Sequence, residues 1–125
     1  MRIVADLHIH SRHSLATSPK LQPTYLERWA RIKGIGLLGS GDCTHPDWLA
    51  ELREALEPAE EGFFRLKAEA RRAFDEGAAL AEELPEPARE SHGGTMGDGA
   101  EAASPGLEGG PRFVLTGEIS TIYSA

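Results

Sequence analysis

Three potential metal ligands, Asp6, His8 and His10, alternate with apolar residues close to the beginning of the chain. In an extended strand, side chains at positions i and i+2 point to the same face, so we expect these three to project together. Neutral imidazole and carboxylate are the ligands that zinc, manganese and iron sites use. The spacing therefore predicts one wall of a divalent-metal site, in which Asp6 orients the two histidines.

Two acidic residues follow later predicted strands. Asp42 comes after a glycine-rich turn, with His45 close behind it, and Glu118 comes after a third strand. Active sites of parallel α/β folds form at the carboxyl ends of the strands. We therefore predict that the strand ends supply the metal ligands and that two of them, Asp42 and Glu118, are also catalytic; the ligands are His8, His10, Asp42, Glu118 and the further candidate His45. Such a cluster can activate water near neutral pH and neutralise phosphate oxygens, which favours phosphoester hydrolysis, although amide and amidine hydrolysis use similar ligands.

Several of these residues also have simpler interpretations. Asp42 could cap a helix, and His45, directly before a proline, is as compatible with a cap or a loop as with a ligand. His13 is expected to be a loop residue. Cys43 could be a soft ligand or a nucleophile, but a small buried apolar role is favoured.

The elements that would position these residues alternate between strand and helix. Residues 2–9 and 35–40 are apolar and predict two strands, the first buried on both faces as in a parallel sheet. Thr24 and Glu27 form a capping box that predicts the beginning of a helix, which we expect to end at Gly34. Pro46 suits the first turn of a second helix, which we expect to continue through Leu56. This β-α-β-α order indicates a parallel sheet or a βα barrel.

The sequence predicts that the whole chain divides into three parts. Residues 1–66 hold the first two βα units. Within residues 67–111, the first part is rich in Ala, Glu and Arg and predicts a solvated helix, and 85–111 lack apolar periodicity and predict a disordered insertion. Residues 112–125 begin with a third strand. We expect an α/β fold in which parallel strands alternate with helices.

Composition limits the classes of function. The 125 residues carry a formal net charge of −7, which argues against a nucleic-acid binder that needs no other region. This charge does not exclude a metal-dependent enzyme that binds DNA through another region of the protein. The single cysteine rules out an internal disulfide framework. The sequence contains no run of about 18 apolar residues, so no membrane span is predicted. We therefore expect a cytoplasmic protein with no membrane partner.

At its candidate site residues, the chain resembles the PHP (polymerase and histidinol phosphatase) family of metal-dependent phosphoesterases. The resemblance covers residues 1–66 and 112–125, and within the family the chain is most similar to the endonuclease Q group through residues 41–49 and 113–124. The three motifs that carry it occur in order: Asp6-Leu7-His8-Ile9-His10-Ser11 with Ser14, then Gly39-Ser40-Gly41-Asp42, then Glu118.

The resemblance implies a distorted (β/α)7 barrel with two or three divalent metals, commonly zinc or manganese. It implies that His8 and His10 bind one metal, that Glu118 bridges two, and that Asp42 is the aspartate of the second motif. Most members follow that aspartate with a histidine ligand. Here Cys43 takes its place, and His45 is the candidate substitute.

Members of the endonuclease Q group nick DNA on the 5′ side of deaminated bases such as uracil and hypoxanthine. The resemblance therefore implies a DNA-repair endonuclease. Two alternatives stay open: a PHP phosphatase of a small phosphorylated metabolite, like histidinol phosphatase, and a non-catalytic PHP-derived scaffold. A barrel of seven βα units needs roughly 200 residues or more, so we expect an N-terminal portion of the domain, with weak metal affinity and no nuclease activity alone.

Overall fold

A mixed α/β sheet organises the chain. The computed structural model describes residues 2–14, 21–81 and 107–118, so residues 85–106 of the predicted disordered insertion lie outside them. The elements in these ranges are β1 (Ala5–Asp6), α1 (Pro23–Lys33), β2 (Leu37–Gly39), α2 (Pro46–Ala55), β3 (Leu56–Pro58), β4 (Phe64–Leu66), α3 (Ala68–Ala81) and β5 (Arg112–Val114). No helix in the described ranges is both long enough and apolar enough to cross a membrane. The division of the chain at residues 66 and 111 stays a prediction.

The five strands lie in the order β1-β2-β5-β4-β3. β1 pairs with β2 and β2 with β5 in parallel, so the carboxyl ends of these three strands share one rim. The β5–β4 and β4–β3 pairs are antiparallel. The predicted alternation of parallel strands with helices therefore holds for β1, β2 and β5. The predicted barrel is not shown, because in the described part of the chain the sheet has two ends, β1 and β3.

The β3–β4 hairpin corrects the predicted extent of the second helix. α2 begins at Pro46 as predicted but ends at Ala55, and the backbone of Leu56 is extended. Leu56 is buried and pairs with Leu66 across the hairpin. An apolar residue at this position fits a helical stripe as well as a strand, and the pairing with Leu66 decides between the two.

The beginning of α1 differs from the predicted capping box. The helix begins at Pro23 with Gln22 as its N-cap, and no side chain caps it. Proline favours the first helical position because its fixed φ suits the helix and its missing N–H needs no partner there. Glu27 is fully buried and pairs with Arg31, so it does not turn back to cap the helix. The end is as predicted, with Gly34 left-handed at φ 74.

The core lies between the helices and the middle of the sheet. Trp48 and Phe113 are 0% exposed, and the other buried apolar residues are Ala30, Leu38, Leu52, Leu56 and Leu66. The first strand departs from its predicted burial on both faces, since Ile3, Val4 and Leu7 are about half exposed. The reason is the position of β1, which pairs only with β2 and forms one edge of the described sheet.

Candidate metal centre

His8, His10 and Glu118 converge at the shared rim of the parallel strands. One ligand atom from each lies within 4.8 Å of those from the other two. The Nε2 atom of His8 is 2.5 Å from the Oε1 atom of Glu118, and both side chains are largely exposed. The two imidazole rings meet edge to face with their centroids 5.4 Å apart. The structure thus brings together residues that follow β1 and β5, which are 110 positions apart in the chain.

Asp6 supports this group through the backbone. Its Oδ1 atom accepts a hydrogen bond from the backbone N–H of His8, with a donor–acceptor distance of 3.2 Å. β1 ends at Asp6, so His8 and His10 lie beyond the ladder. The carboxylate therefore fixes the direction in which the chain leaves the strand, whereas we expected it to orient the histidine side chains.

Asp42 joins the end of β2 to the loop that follows His10. Its Oδ2 atom accepts three hydrogen bonds, from the Ser11 N–H at 2.9 Å, the Ser11 hydroxyl at 2.6 Å and the Ser14 hydroxyl at 2.6 Å. Burial raises the pKa of Asp42, but these hydrogen bonds and the neighbouring His10 outweigh it, so the pKa lies below its usual range. All three of these hydrogen bonds go to Oδ2, and Asp42 also lines the cavity at the rim.

The lowered pKa of Asp42 predicts an acid titration. A carboxylate whose pKa falls on folding stabilises the fold above its unfolded pKa, and this contribution is lost as the pH falls through the folded pKa. We therefore expect the Ser11 amide proton, followed by NMR, to titrate with a midpoint below the ordinary value of 3.8. The titration should disappear in Asp42→Asn. A midpoint at or above 3.8 would contradict the hydrogen-bonding argument.

The turn after β2 sets the distance between the strands that carry the ligands. Gly41 has a φ of 64. A Cβ atom built there would lie 2.2 Å from the carbonyl oxygen of Ile9, the residue between His8 and His10 in the sequence. The Gly41 N–H donates to the Thr116 hydroxyl at 2.8 Å, and the Thr116 N–H donates to the Ser40 hydroxyl at 3.1 Å. The turn thus contacts the chain before His10 and the chain before Glu118 at the same time.

His45 is the N-cap of α2, one of the roles that the sequence left open. Its Nδ1 atom accepts a hydrogen bond from the Trp48 N–H at 3.4 Å. The indole N–H of Trp48 donates to the carbonyl oxygens of Ser40 and Gly41, which fixes α2 against the turn. His45 lies outside the group formed by His8, His10 and Glu118. Its ring instead stacks on His13, with centroids 4.5 Å apart.

A cavity of about 340 Å³ borders the rim. Asp42, His45 and Glu118 line it, so three predicted site residues face one space. The other lining residues are His13, Ser14, Thr44 and Pro46. Cys43 is half-buried, and its thiol lies 3.2 Å from the position that a Cβ on Gly117 would take. The cavity lies within the size range of small-ligand sites.

The chemistry of the donor set fits a divalent metal. His8, His10 and Glu118 supply two imidazole nitrogens and one carboxylate oxygen, a combination that zinc and other first-row metals accept. Asp42 can add a further oxygen from the same cavity. Sequence reasoning had Ser11 and Ser14 only as parts of the first motif and assigned neither a role. Their signal was the two serines at positions 11 and 14, directly after the histidine pair.

The described fold is similar to part of two solved endonuclease Q structures. The chain matches the crystal structure of the lesion-specific endonuclease PfuEndoQ from Pyrococcus furiosus with a TM-score of 0.54 and 25% identity, over 92% of this chain and 18% of that one. It also matches an endonuclease Q in complex with a 27-mer duplex that carries an abasic lesion at the active site. There the TM-score is 0.54 and the identity 24%, over 90% of this chain and 18% of that chain, so this likeness concerns the fold alone.

A curated relative covers a shorter stretch. An uncharacterised protein from Methanocaldococcus jannaschii is 45% identical over 49 residues, which are 39% of this chain and 6% of that protein. No protein-family model matches the chain. The chain therefore spans a small part of the length of the proteins that it resembles.

Proposed function

We propose that this chain is part of a PHP-type metal-dependent phosphoesterase, and that the protein it represents is a DNA endonuclease of the endonuclease Q type acting at deaminated bases. The observation that carries the proposal is the convergence of His8, His10 and Glu118 at the rim of a fold similar to endonuclease Q. Sequence similarity to the Pyrococcus endonuclease at 25% identity supports the same class of reaction.

Each residue of the centre has a role in this proposal. His8, His10 and Glu118 would hold a zinc or manganese ion, and Asp42 would add a carboxylate oxygen from the cavity wall. When bound, a divalent metal supplies activated water near neutral pH and positive charge for phosphate oxygens. Ser11 and Ser14 donate to the Oδ2 atom of Asp42, so the carboxylate keeps its orientation at the cavity wall. Two or three metals in the complete domain remain our expectation.

The DNA-binding surface of such an enzyme must lie largely outside these residues. The chain has a formal net charge of −7, whereas binding to phosphates needs lysine and arginine. It also spans only 18% of the endonuclease Q chains that it matches. We therefore propose that the 125 residues alone bind metal weakly and do not cleave DNA.

A metabolite phosphatase is the second candidate. The net charge of −7 and a cavity of about 340 Å³ suit a small phosphorylated substrate better than a duplex. The discriminating experiment uses a chimaera in which residues 2–118 replace the matching part of PfuEndoQ. Nicking of uracil-containing duplex DNA by the chimaera supports the endonuclease. Release of phosphate from histidinol phosphate without nicking supports the phosphatase. Metal-free protein with neither activity supports the non-catalytic scaffold.

The ligand assignment predicts the effect of two substitutions. In the chimaera, His8→Ala and Glu118→Gln should each lower the nicking rate by at least about 100-fold, because even partners of metal ligands typically contribute 10–100-fold. Metal content by mass spectrometry should fall in parallel. Glu61→Gln removes the same charge as Glu118→Gln from an exposed residue of the β3–β4 turn and should change neither. Wild-type nicking by His8→Ala would refute the assignment.

A further inference from the structure

We propose that Ser14 is a positioning residue that fixes the proton of the His10 ring on Nδ1 and so leaves Nε2 as the metal-binding nitrogen. The Ser14 hydroxyl oxygen lies 3.5 Å from Nδ1 of His10 and 2.6 Å from Oδ2 of Asp42. One hydroxyl therefore contacts two predicted metal ligands, which follow different strands of the sheet. Only the metal-binding role of His10 rests on the proposed function, since the tautomer of its ring does not depend on any reaction.

The direction of the two hydrogen bonds follows from the groups that Ser14 joins. An aspartate is ionised at neutral pH, and a carboxylate can only accept hydrogen bonds. The single hydroxyl proton of Ser14 is therefore donated to Asp42. Toward His10 the hydroxyl oxygen can only accept, so the proton of the neutral ring lies on Nδ1. The Nε2 atom then keeps its lone pair for a metal.

A tight turn places the Ser14 hydroxyl between its two partners. The Ser14 N–H donates to the carbonyl oxygen of Ser11 at 3.1 Å, which closes the turn directly after His10. Ser11 is fully buried, and its N–H and hydroxyl donate to the same Asp42 oxygen that Ser14 reaches. Asp42 thus holds both ends of the turn, which fixes the Ser14 hydroxyl next to the ring of His10.

The two histidines of the pair are held in different ways. The Nε2 atom of His8 lies 2.5 Å from Glu118, and both of these side chains are largely exposed. His10 is half-buried, and it is the Nδ1 atom of its ring that contacts Ser14. Loss of the Ser14 hydroxyl should therefore change the tautomer of His10 and leave that of His8 unchanged, so His8 provides an internal control.

The test records ¹⁵N–¹H correlation spectra of the imidazole rings in the metal-free chain at about pH 9, where an ordinary histidine is neutral. His10 should be mainly the Nδ1–H tautomer, whereas an unconstrained histidine in water favours Nε2–H. Ser14→Ala should lower the ratio of Nδ1–H to Nε2–H in His10 at least about threefold, because it removes one hydrogen bond. Ser14→Thr keeps the hydroxyl and should keep the ratio.

Metal affinity is measured separately, by calorimetric titration with Co²⁺. Ser14→Ala should bind Co²⁺ at least about tenfold less tightly than the wild-type chain, because partners that orient metal ligands typically contribute 10–100-fold. Thr24→Ala is the matched control, since it removes a hydroxyl from α1, outside the residues that line the cavity. This variant should keep both the affinity and the tautomer ratio of the wild type.

Two results would overturn the role of Ser14. Either His10 of the wild-type chain is mainly the Nε2–H tautomer, or a folded Ser14→Ala chain keeps the wild-type ratio. The wild-type spectrum decides the first of these even where a variant does not fold. If the tautomers behave as expected but the wild-type chain binds no Co²⁺, the ligand role of His10 is refuted. The proposed function then fails separately from the assignment of the ring proton.

Discussion

Replacing Gly41 by alanine should destabilise the fold by about 2–5 kcal/mol, combining the cost of a left-handed non-glycine residue with that of overpacking. The φ of 64 disfavours any Cβ atom at this position. The new atom would also lie 2.2 Å from the carbonyl oxygen of Ile9, and backbone cannot move aside as a side chain can. Urea unfolding followed by the fluorescence of the buried Trp48 measures the loss.

Gly62 provides a matched control for this substitution. Its φ of 81 is also left-handed, but a Cβ atom there would meet nothing within 4 Å. Gly62→Ala should therefore carry only the conformational cost, about 1–2 kcal/mol. The difference between the two variants isolates the contact between the turn and Ile9. Equal losses would mean that the chain accommodates the atom and that this contact does not hold the rim together.

The same substitution should also weaken metal binding. Ile9 lies between His8 and His10, so any displacement of its backbone moves both imidazoles relative to Glu118. Folded Gly41→Ala protein should bind Co²⁺ less tightly than Gly62→Ala protein of comparable stability. This comparison separates a local effect on the centre from general loss of structure.

Local signals in the sequence predicted much of what positions the centre. Gly34 and Pro46 mark helix ends because their backbone preferences act regardless of the tertiary fold. The parallel pairing of β1, β2 and β5 follows from the alternation of strands and helices. That pairing alone places the residues after β1 and β5 at one rim, which is why the convergence of His8 and Glu118 was accessible from the sequence.

Features that depend on partners distant in the sequence could not be predicted. Leu56 fits a helix or a strand until its pairing with Leu66 is known. The capping box failed because Glu27 takes partners from α3 as well as from its own helix. The bond between His13 and Glu51 joins residues 38 positions apart. No spacing rule connects such residues, since the path of the backbone between them must be known first.

Glu27 and its partners join α1 to α3 through a buried ion cluster. Glu27 is 0% exposed and accepts from Arg71 at 2.8 Å and from Arg31 at 3.0 Å. Arg31 and Arg28 also pair with Asp75 on α3, each at 2.8 Å. Burial raises the pKa of Glu27 by more than Arg71 and Arg31 lower it. The cluster therefore specifies how α3 docks on α1. The free-energy cost of desolvating its charges offsets much of the Coulomb attraction between them.

Substituting Glu27 should lower the free energy of unfolding by far more than the net stabilisation that the ion cluster provides. Breaking a buried ion pair from one side typically costs about 3–5 kcal/mol, because the remaining charge stays in the interior. Arg71 and Arg31 are about one fifth exposed and can partly reach water, so we expect about 2–4 kcal/mol for Glu27→Gln. The free energy of urea unfolding measures this loss, and amide hydrogen exchange should show weaker protection in α3 than in α2.

Two comparisons decide whether the loss comes from the buried arginines. Glu57→Gln breaks the pair with Arg65, whose partners are more than one third exposed, and should cost less than about 1 kcal/mol. Glu27→Leu combined with Arg71→Met removes charge from both sides and should recover much of the stability lost in Glu27→Gln, as replacement of buried ion pairs by apolar residues often does. Recovery would show that the pair sets the docking of α3 more than it stabilises it. A double variant less stable than Glu27→Gln would mean instead that the ion pair is a net source of stability.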